Sequence, residues 1–207
     1  RKIEVYALLG AVEWGYEEDG ATLLAHLEKI VQYNVQSSEK EKFDGVMLDI
    51  EPYISDSWKE NPEEYMDRYI SCMKKGYKFT QKNHLRTAIC IPRHYDNQGL
   101  TSGLEELIKE TCDEVAVMNY SCGNEIEAIR TEAALSEKYG KELHCILEFQ
   151  EVGKHGLTEN KTYRNKGIDN AKETWEKLQK EYKNINVTRD YHWSRPVREM
   201  LEEKNAD

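Results

Sequence analysis

The chain has 207 residues, and 39% of them are apolar, which is enough to bury one hydrophobic core and predicts a single domain over residues 1–207. The formal net charge of −10 argues against nucleic acid or an anionic membrane surface as a partner, because both would require a basic face. The mean hydropathy of −0.83 and the lack of a long apolar run exclude a membrane-spanning helix.

Strand-like and helix-like segments alternate along the chain. The strand-like runs lie at residues 5–9, 43–51, 86–91, 114–119, 143–149 and 185–187. The helix-like segments lie at residues 21–36, 61–77, 104–111, 125–139, 168–182 and 195–203. Strands that are separated by helices indicate βα units and a parallel sheet, so the predicted class is α/β. Six units are two fewer than a (β/α)8 TIM barrel of about 250 residues, so the barrel is expected to be partial or truncated.

Residues 43–53 contain two carboxylates at the end of a run typical of a buried strand. Pro52 ends any ladder because it has no N–H group to donate. Asp49 and Glu51 are two residues apart, so their side chains leave the same face of the strand. Carboxylates that are held close together raise the pKa of one of them, as a general acid near neutral pH requires. An ion pair or a cap is the alternative explanation for such a pair.

Residues 44–51, Asp-Gly-Val-Met-Leu-Asp-Ile-Glu, resemble the Asp-x-x-Asp-x-Asp-x-Glu signature on the fourth strand of family 18 glycoside hydrolases, the chitinase-like proteins. The resemblance implies that Glu51 donates a proton to the glycosidic oxygen. It also implies that Asp49 orients the 2-acetamido group of the substrate, which attacks the anomeric carbon. Met47 stands where the family has its second Asp. This chemistry requires no metal and no organic cofactor, and its partner is an oligosaccharide or glycan that contains N-acetylglucosamine-type residues.

The same resemblance extends to other strands. Residues 6–14 are similar to the third strand of the family and residues 117–120 to the sixth, which leaves the first two βα units missing from the amino end. Tyr120 then corresponds to the residue that hydrogen-bonds the acetamido oxygen, with Ser121 where the family has Asp. Trp193 corresponds to the aromatic floor under the sugar. By resemblance, the protein is expected to be secreted or at the cell surface.

Two alternatives stay open. Other barrel glycosidases place an acid/base Glu after strand four and a nucleophilic Glu after strand seven, and Glu51 and Glu148 occupy those positions. The carboxyl groups would then lie about 5–5.5 Å apart in a retaining enzyme and about 6.5–9.5 Å apart in an inverting one. The non-catalytic explanation for Glu148 is an ion pair with Arg93 or Lys154. Because Met47 removes a family carboxylate, a catalytically inactive carbohydrate-binding protein is the other alternative.

The remaining candidates line loops at strand ends. Trp14, Tyr53 and His94 are predicted to contact the substrate, and His192 beside Trp193 is ambiguous between a site residue and a solvated one. A metal site built from Asp49, Glu51 and His94 is chemically possible, but no motif specifies it. Five cysteines without a C-x-x-C spacing indicate small core residues rather than a metal or redox site, and they are Cys72, Cys90, Cys112, Cys122 and Cys145.

Overall fold

A computed structural model describes residues 3–206 of the chain, and six strands and eight α-helices lie in that range. The strands are β1 (Tyr6–Leu9), β2 (Gly45–Leu48), β3 (Arg86–Pro92), β4 (Glu114–Met118), β5 (Glu142–Glu148) and β6 (Val187–His192). The helices are α1 (Ala21–Gln36), α2 (Asp56–Glu60), α3 (Pro62–Lys82), α4 (Thr101–Thr111), α5 (Glu125–Ala128), α6 (Arg130–Tyr139), α7 (Ile168–Glu181) and α8 (Ser194–Ala206). The α/β class and the six predicted strands are confirmed.

The described residues fall into two compact units. The first consists of residues 3–91 and Tyr95–Val115, and the second consists of Pro92–His94 and residues 116–206. In the first unit, β1, β2 and β3 lie side by side in chain order. The organisation into one domain stays a prediction.

The first unit is built from parallel βα units. β2 pairs with β1 on one side and with β3 on the other, in a register that aligns Met47 with Leu8 and with Ala88. The helix α1 packs through Leu23 and Leu27, which are fully buried. The helix α3 starts at Pro62 as predicted, although the side chain of Asn61 makes no capping hydrogen bond.

The second unit contains the parallel pair β5 and β6, whose register runs from Leu143–Val187 to Glu148–His192. The helix α7 joins these strands and buries Trp175, whose indole N–H donates to the carbonyl oxygen of Cys145 at 3.0 Å. The amphipathic helix predicted from residue 168 onward is therefore confirmed.

Three details differ from the sequence-based expectation. The helix predicted at 125–139 is two helices, because the backbone leaves helical geometry at Ile129. The short helix α2 was not predicted. The last strand begins at Val187, where the predicted strand ended, because its partly exposed residues lack the apolar run that marked the other strands.

All five cysteines are free thiols, and all except Cys122 are buried, in agreement with their predicted role as small core residues. Within residues 3–206, no helix combines the length and the apolar character that crossing a membrane requires.

Candidate active site

In the first unit, the two predicted catalytic carboxylates lie directly after β2. The N–H group of Asp49 donates to the carbonyl oxygen of Leu9 at 2.8 Å, so the pairing with β1 continues one residue past the strand. Asp49 and Glu51 are half-buried. Leu48, which precedes them, and Ile50, which lies between them, are fully buried. This alternation in burial is the pattern expected for side chains on opposite faces of an extended segment.

The backbone after β1 passes unusually close to Asp49. A Cβ atom added at Gly10 would lie 1.9 Å from the carbonyl oxygen of Asp49, so this approach is possible only without a side chain. The next turn, Val12–Tyr16, is also anchored to the acidic segment, because the hydroxyl of Tyr16 donates to the carbonyl oxygen of Pro52 at 3.1 Å. These contacts position the backbone that carries Glu51.

The carboxylate of Glu51 accepts a hydrogen bond from the hydroxyl of Tyr53. Burial, and secondly this hydrogen bond, raise the pKa of Tyr53 well above its usual range, so the phenol remains a donor. Its ring meets the buried ring of Tyr95 edge to face at a centroid distance of 5.9 Å, and Tyr95 in turn contacts Trp58 at 5.6 Å. Tyr53, predicted to contact substrate, thus holds Glu51 against an aromatic cluster.

Trp14 lies in the turn after β1, as predicted, and is half-buried. Its ring lies 4.5 Å from that of His26 in α1, measured between centroids. This contact attaches the indole to the helix. A role of Trp14 in substrate binding stays a prediction.

In the second unit, Glu148 ends β5 and is only 2% exposed. One carboxylate oxygen accepts the backbone N–H groups of Phe149 at 2.7 Å and of Gln150 at 2.8 Å. The other oxygen lies 3.1 Å from the side-chain nitrogen of Gln150 and 2.8 Å from Nδ1 of His192. Burial alone would raise the pKa of Glu148, but the hydrogen bonds from His192 and Gln150 hold it below its usual range.

His192 is therefore a hydrogen-bonding partner of Glu148 across the paired strands β5 and β6. Lys154, one of the two partners that the sequence suggested, pairs with Glu151 at 2.9 Å. The imidazole of His192 stacks on the ring of Tyr120 at a centroid distance of 5.9 Å and an interplanar angle of 28°. The structure thus brings Glu148 and Tyr120 together around His192, which the sequence did not assign to the site. Only the position of His192 beside Trp193 hinted at this.

The other two predicted residues of the second unit differ in exposure. Trp193 follows β6 directly and is 45% exposed, which leaves much of its indole open to solvent. His94 lies in the turn after β3 and is half-buried. Their roles in substrate binding stay predictions.

The sequence matches no protein-family model, and no curated protein is similar to it at a significant level. Among solved structures, the chain resembles catalytic domain 2 of the group II chitinase from Ostrinia furnacalis. A mutant of that domain in complex with penta-N-acetylchitooctaose has a TM-score of 0.44, and a second structure of the domain has a TM-score of 0.42. Each is 14% identical to this chain and covers 77% of it. The match spans only 50% of each chitinase chain. A similarity with TM-scores this low does not indicate a shared function.

Proposed function

We propose that this chain is a glycoside hydrolase-like protein that cleaves a glycan containing N-acetylglucosamine-type residues. The observation that carries the proposal is the position of Asp49 and Glu51, two half-buried carboxylates directly after the parallel strand β2. The carboxyl ends of parallel strands are where α/β proteins place their active sites. The resemblance of residues 44–51 to the family 18 signature supplies the role of each carboxylate.

In the proposed reaction, Glu51 is the general acid. Its proton passes to the glycosidic oxygen as the bond between that oxygen and the anomeric carbon breaks. The carbonyl oxygen of the substrate's 2-acetamido group attacks the same carbon, while Asp49 accepts a hydrogen bond from the acetamido N–H group. Water then opens the cyclic intermediate, and Glu51 takes up a proton from that water. The hydroxyl of Tyr53 supports both steps, because it holds the carboxylate of Glu51 in one orientation.

In the second unit, we propose Tyr120 and Trp193 as contacts to the glycan. A pyranose ring has an apolar C–H face and a polar rim, so an exposed aromatic face suits it. The 45% exposure of Trp193 supports this role.

One observation favours the alternative of a carbohydrate-binding protein without activity. Met47 lies in an apolar row with Leu8 and Ala88, its register neighbours in β1 and β3. The resemblance would place a carboxylate at Met47, where it would share a proton with Asp49. Binding without hydrolysis is therefore the second candidate function.

A retaining mechanism with Glu148 as the nucleophile has weaker support. A nucleophile must present a lone pair to the anomeric carbon, but Glu148 is 2% exposed and both of its oxygens accept hydrogen bonds. Its contacts are those of a carboxylate that positions other groups.

The test is hydrolysis of aryl N-acetylglucosaminide and aryl chitobioside substrates by the wild type and by Glu51→Gln. The amide oxygen of Gln can still accept the hydrogen bond from Tyr53, so this variant removes the proton donor with little change in shape. We expect a loss of about 10² or more in kcat, the lower range for general acid catalysis. Glu13→Gln is the matched control, because Glu13 is an exposed carboxylate in the turn after β1.

The wild type could fail to hydrolyse either substrate while it and Glu51→Gln still bind chito-oligosaccharides. That result would refute the proposed hydrolase activity and support a carbohydrate-binding protein. Equal activities of the wild type and Glu51→Gln would refute the role of Glu51.

A further inference from the structure

We propose that a cavity in the second unit, between the start of α5 and the helix α7, binds an amino sugar, and that the carboxylate of Glu125 receives the primary ammonium group of this ligand. None of the residues that line the cavity belongs to the candidate active site. The inference therefore does not depend on the proposed hydrolysis.

The cavity has the size of a ligand site, and its walls are fixed by hydrogen bonds. Its volume is about 500 Å³, within the range of about 300–1,000 Å³ that is typical of small-molecule sites. Residues 123–127 form one wall, and α7 with the loop before it forms the other. The hydroxyl of Tyr182 donates to the carbonyl oxygen of Ile126 at 2.6 Å, which ties α5 to the end of α7. The walls are thus positioned before a ligand binds, as a preorganised site requires.

Glu125 provides a buried carboxylate in this cavity. It is only 7% exposed, and its Oε1 atom accepts hydrogen bonds from the N–H group of Gly123 at 2.9 Å and from the hydroxyl of Tyr163. The hydroxyl of Thr174 lies 2.8 Å from the Tyr163 oxygen. Burial, and secondly the hydrogen bond with Glu125, raise the pKa of Tyr163 well above its usual range, so the phenol remains a donor. The carboxylate is therefore held in one orientation as an acceptor.

The other oxygen of Glu125 is available to a ligand. Oε2 accepts no hydrogen bond from residues 3–206, and it is not sealed from solvent. No lysine, arginine or histidine in that part of the chain forms an ion pair with this carboxylate. A buried charge without a cationic partner is unfavourable, and a ligand cation in the cavity would relieve that cost. A primary ammonium group matches Oε2, because it carries a positive charge and three donors.

The rest of the lining favours a ligand with hydroxyl groups. Three glutamates and two lysines line the cavity, so its formal net charge is −1, which disfavours an anionic ligand. The side chains of Asn124, Asn170, Lys166 and Lys177 are exposed at its rim. These amides and ammonium groups provide the donors and acceptors that hydroxyl groups need. An amino sugar combines such hydroxyl groups with one ammonium group.

The first experiment is calorimetric binding of glucosamine and of N-acetylglucosamine to the wild type at pH 6. The two sugars differ in charge, because acetylation removes the ammonium group. We expect glucosamine to bind at least about tenfold more tightly, as the gain of one hydrogen bond between charged groups predicts.

The second experiment uses variants of the cavity. Glu125→Gln keeps an oxygen toward the N–H group of Gly123 but removes the charge, so we expect it to bind glucosamine about tenfold more weakly and to lose the preference. Asn170→Trp leaves the buried network intact and places an indole at the rim, where it should block binding. The matched controls are Glu173→Gln and Glu173→Trp, because Glu173 is an exposed residue of α7 outside the cavity.

Three results would overturn the inference. They are no glucosamine binding by the wild type, equal affinities for the two sugars at the site that Asn170→Trp blocks, and a preference for glucosamine that Glu125→Gln retains. If Glu125→Gln does not fold, the two sugars and Asn170→Trp decide the outcome. N-Acetylglucosamine that binds in the candidate active site would be insensitive to Asn170→Trp, so failure of this cavity can be told apart from failure of the proposed function.

Discussion

Replacement of Glu148 by Gln is the sharpest test of how the second unit is stabilised. The substitution keeps the shape of the side chain but removes its charge. The backbone N–H groups of Phe149 and Gln150 would then donate to a neutral oxygen. The new amide NH₂ group would also face two groups that now donate to Glu148, namely the side-chain amide of Gln150 and Nδ1 of His192.

The magnitude follows from these contacts. A hydrogen bond to a charged group contributes about 1.5–3 kcal/mol and one to a neutral group about 1 kcal/mol, so each backbone donor loses about 1 kcal/mol. The two donors that face the new amide cost about 1 kcal/mol more. The cost is no larger because His192 is partly exposed and can change to the tautomer that carries its proton on Nε2. We therefore expect the free energy of unfolding to fall by about 3 kcal/mol at pH 7.

The pH dependence provides an independent check. The pKa of Glu148 is lowered in the folded protein, so its carboxylate stabilises the fold at pH values above the usual glutamate range. This contribution is lost as the pH falls through that range toward the lower folded value. The difference between the wild type and Glu148→Gln should hence shrink as the pH falls from 7 to about 4, near the unperturbed value for glutamate.

Urea unfolding, followed by tryptophan fluorescence at both pH values, measures these differences. Glu151→Gln serves as the control, because Glu151 is exposed and its pair with Lys154 lies at the surface; it should leave the midpoint unchanged. A loss below about 0.5 kcal/mol for Glu148→Gln, the range of an ordinary surface substitution, would refute this account. A loss in the free energy of unfolding that is the same at both pH values would also refute it.

Two further substitutions test the first unit. Gly10→Ala should lower the thermal midpoint by several degrees, because its Cβ would overlap the carbonyl oxygen of Asp49 and force β1 away from the acidic segment. Glu114→Gln should destabilise the fold to urea by about 2–3 kcal/mol, since this 3% exposed carboxylate accepts hydrogen bonds from the Tyr6 hydroxyl and, at 2.7 Å, from Nε of Arg86.

Surface substitutions provide the comparison for both. Glu106→Gln removes the half-exposed partner of Lys74 and should have a much smaller effect than Glu114→Gln. Equal effects of these two substitutions would contradict the importance of burial at Glu114. An unchanged midpoint for Gly10→Ala would contradict the close approach to Asp49.

The strand before the acidic segment was predicted well because its signals are local. An apolar run followed by a proline is enough to indicate a strand that ends just before Asp49 and Glu51. The alternation of strands and helices likewise depends on short-range periodicity, so the α/β class followed from it.

The partner of Glu148 could not be predicted in this way. His192 is 44 residues away in sequence, and the two meet only because β5 and β6 pair in a specific parallel register. A single sequence carries no signal for that register. The contact of Tyr53 with Glu51 was missed for a different reason, since the turn at Pro52–Ile54 brings the hydroxyl back toward a residue only two positions earlier.

The buried cysteines have a consequence for chemical reactivity. Burial raises the pKa of Cys72 and of Cys145 to about 12, and that of the partly exposed Cys122 to about 11. Only the thiolate attacks oxidants and alkylating reagents, and at pH 7 it is roughly 10⁻⁴ or less of each of these groups. In the folded protein these three thiols should thus react slowly with maleimides and with peroxide. A cysteine introduced on the surface, for example at Glu13, would then carry a fluorescent label with high selectivity.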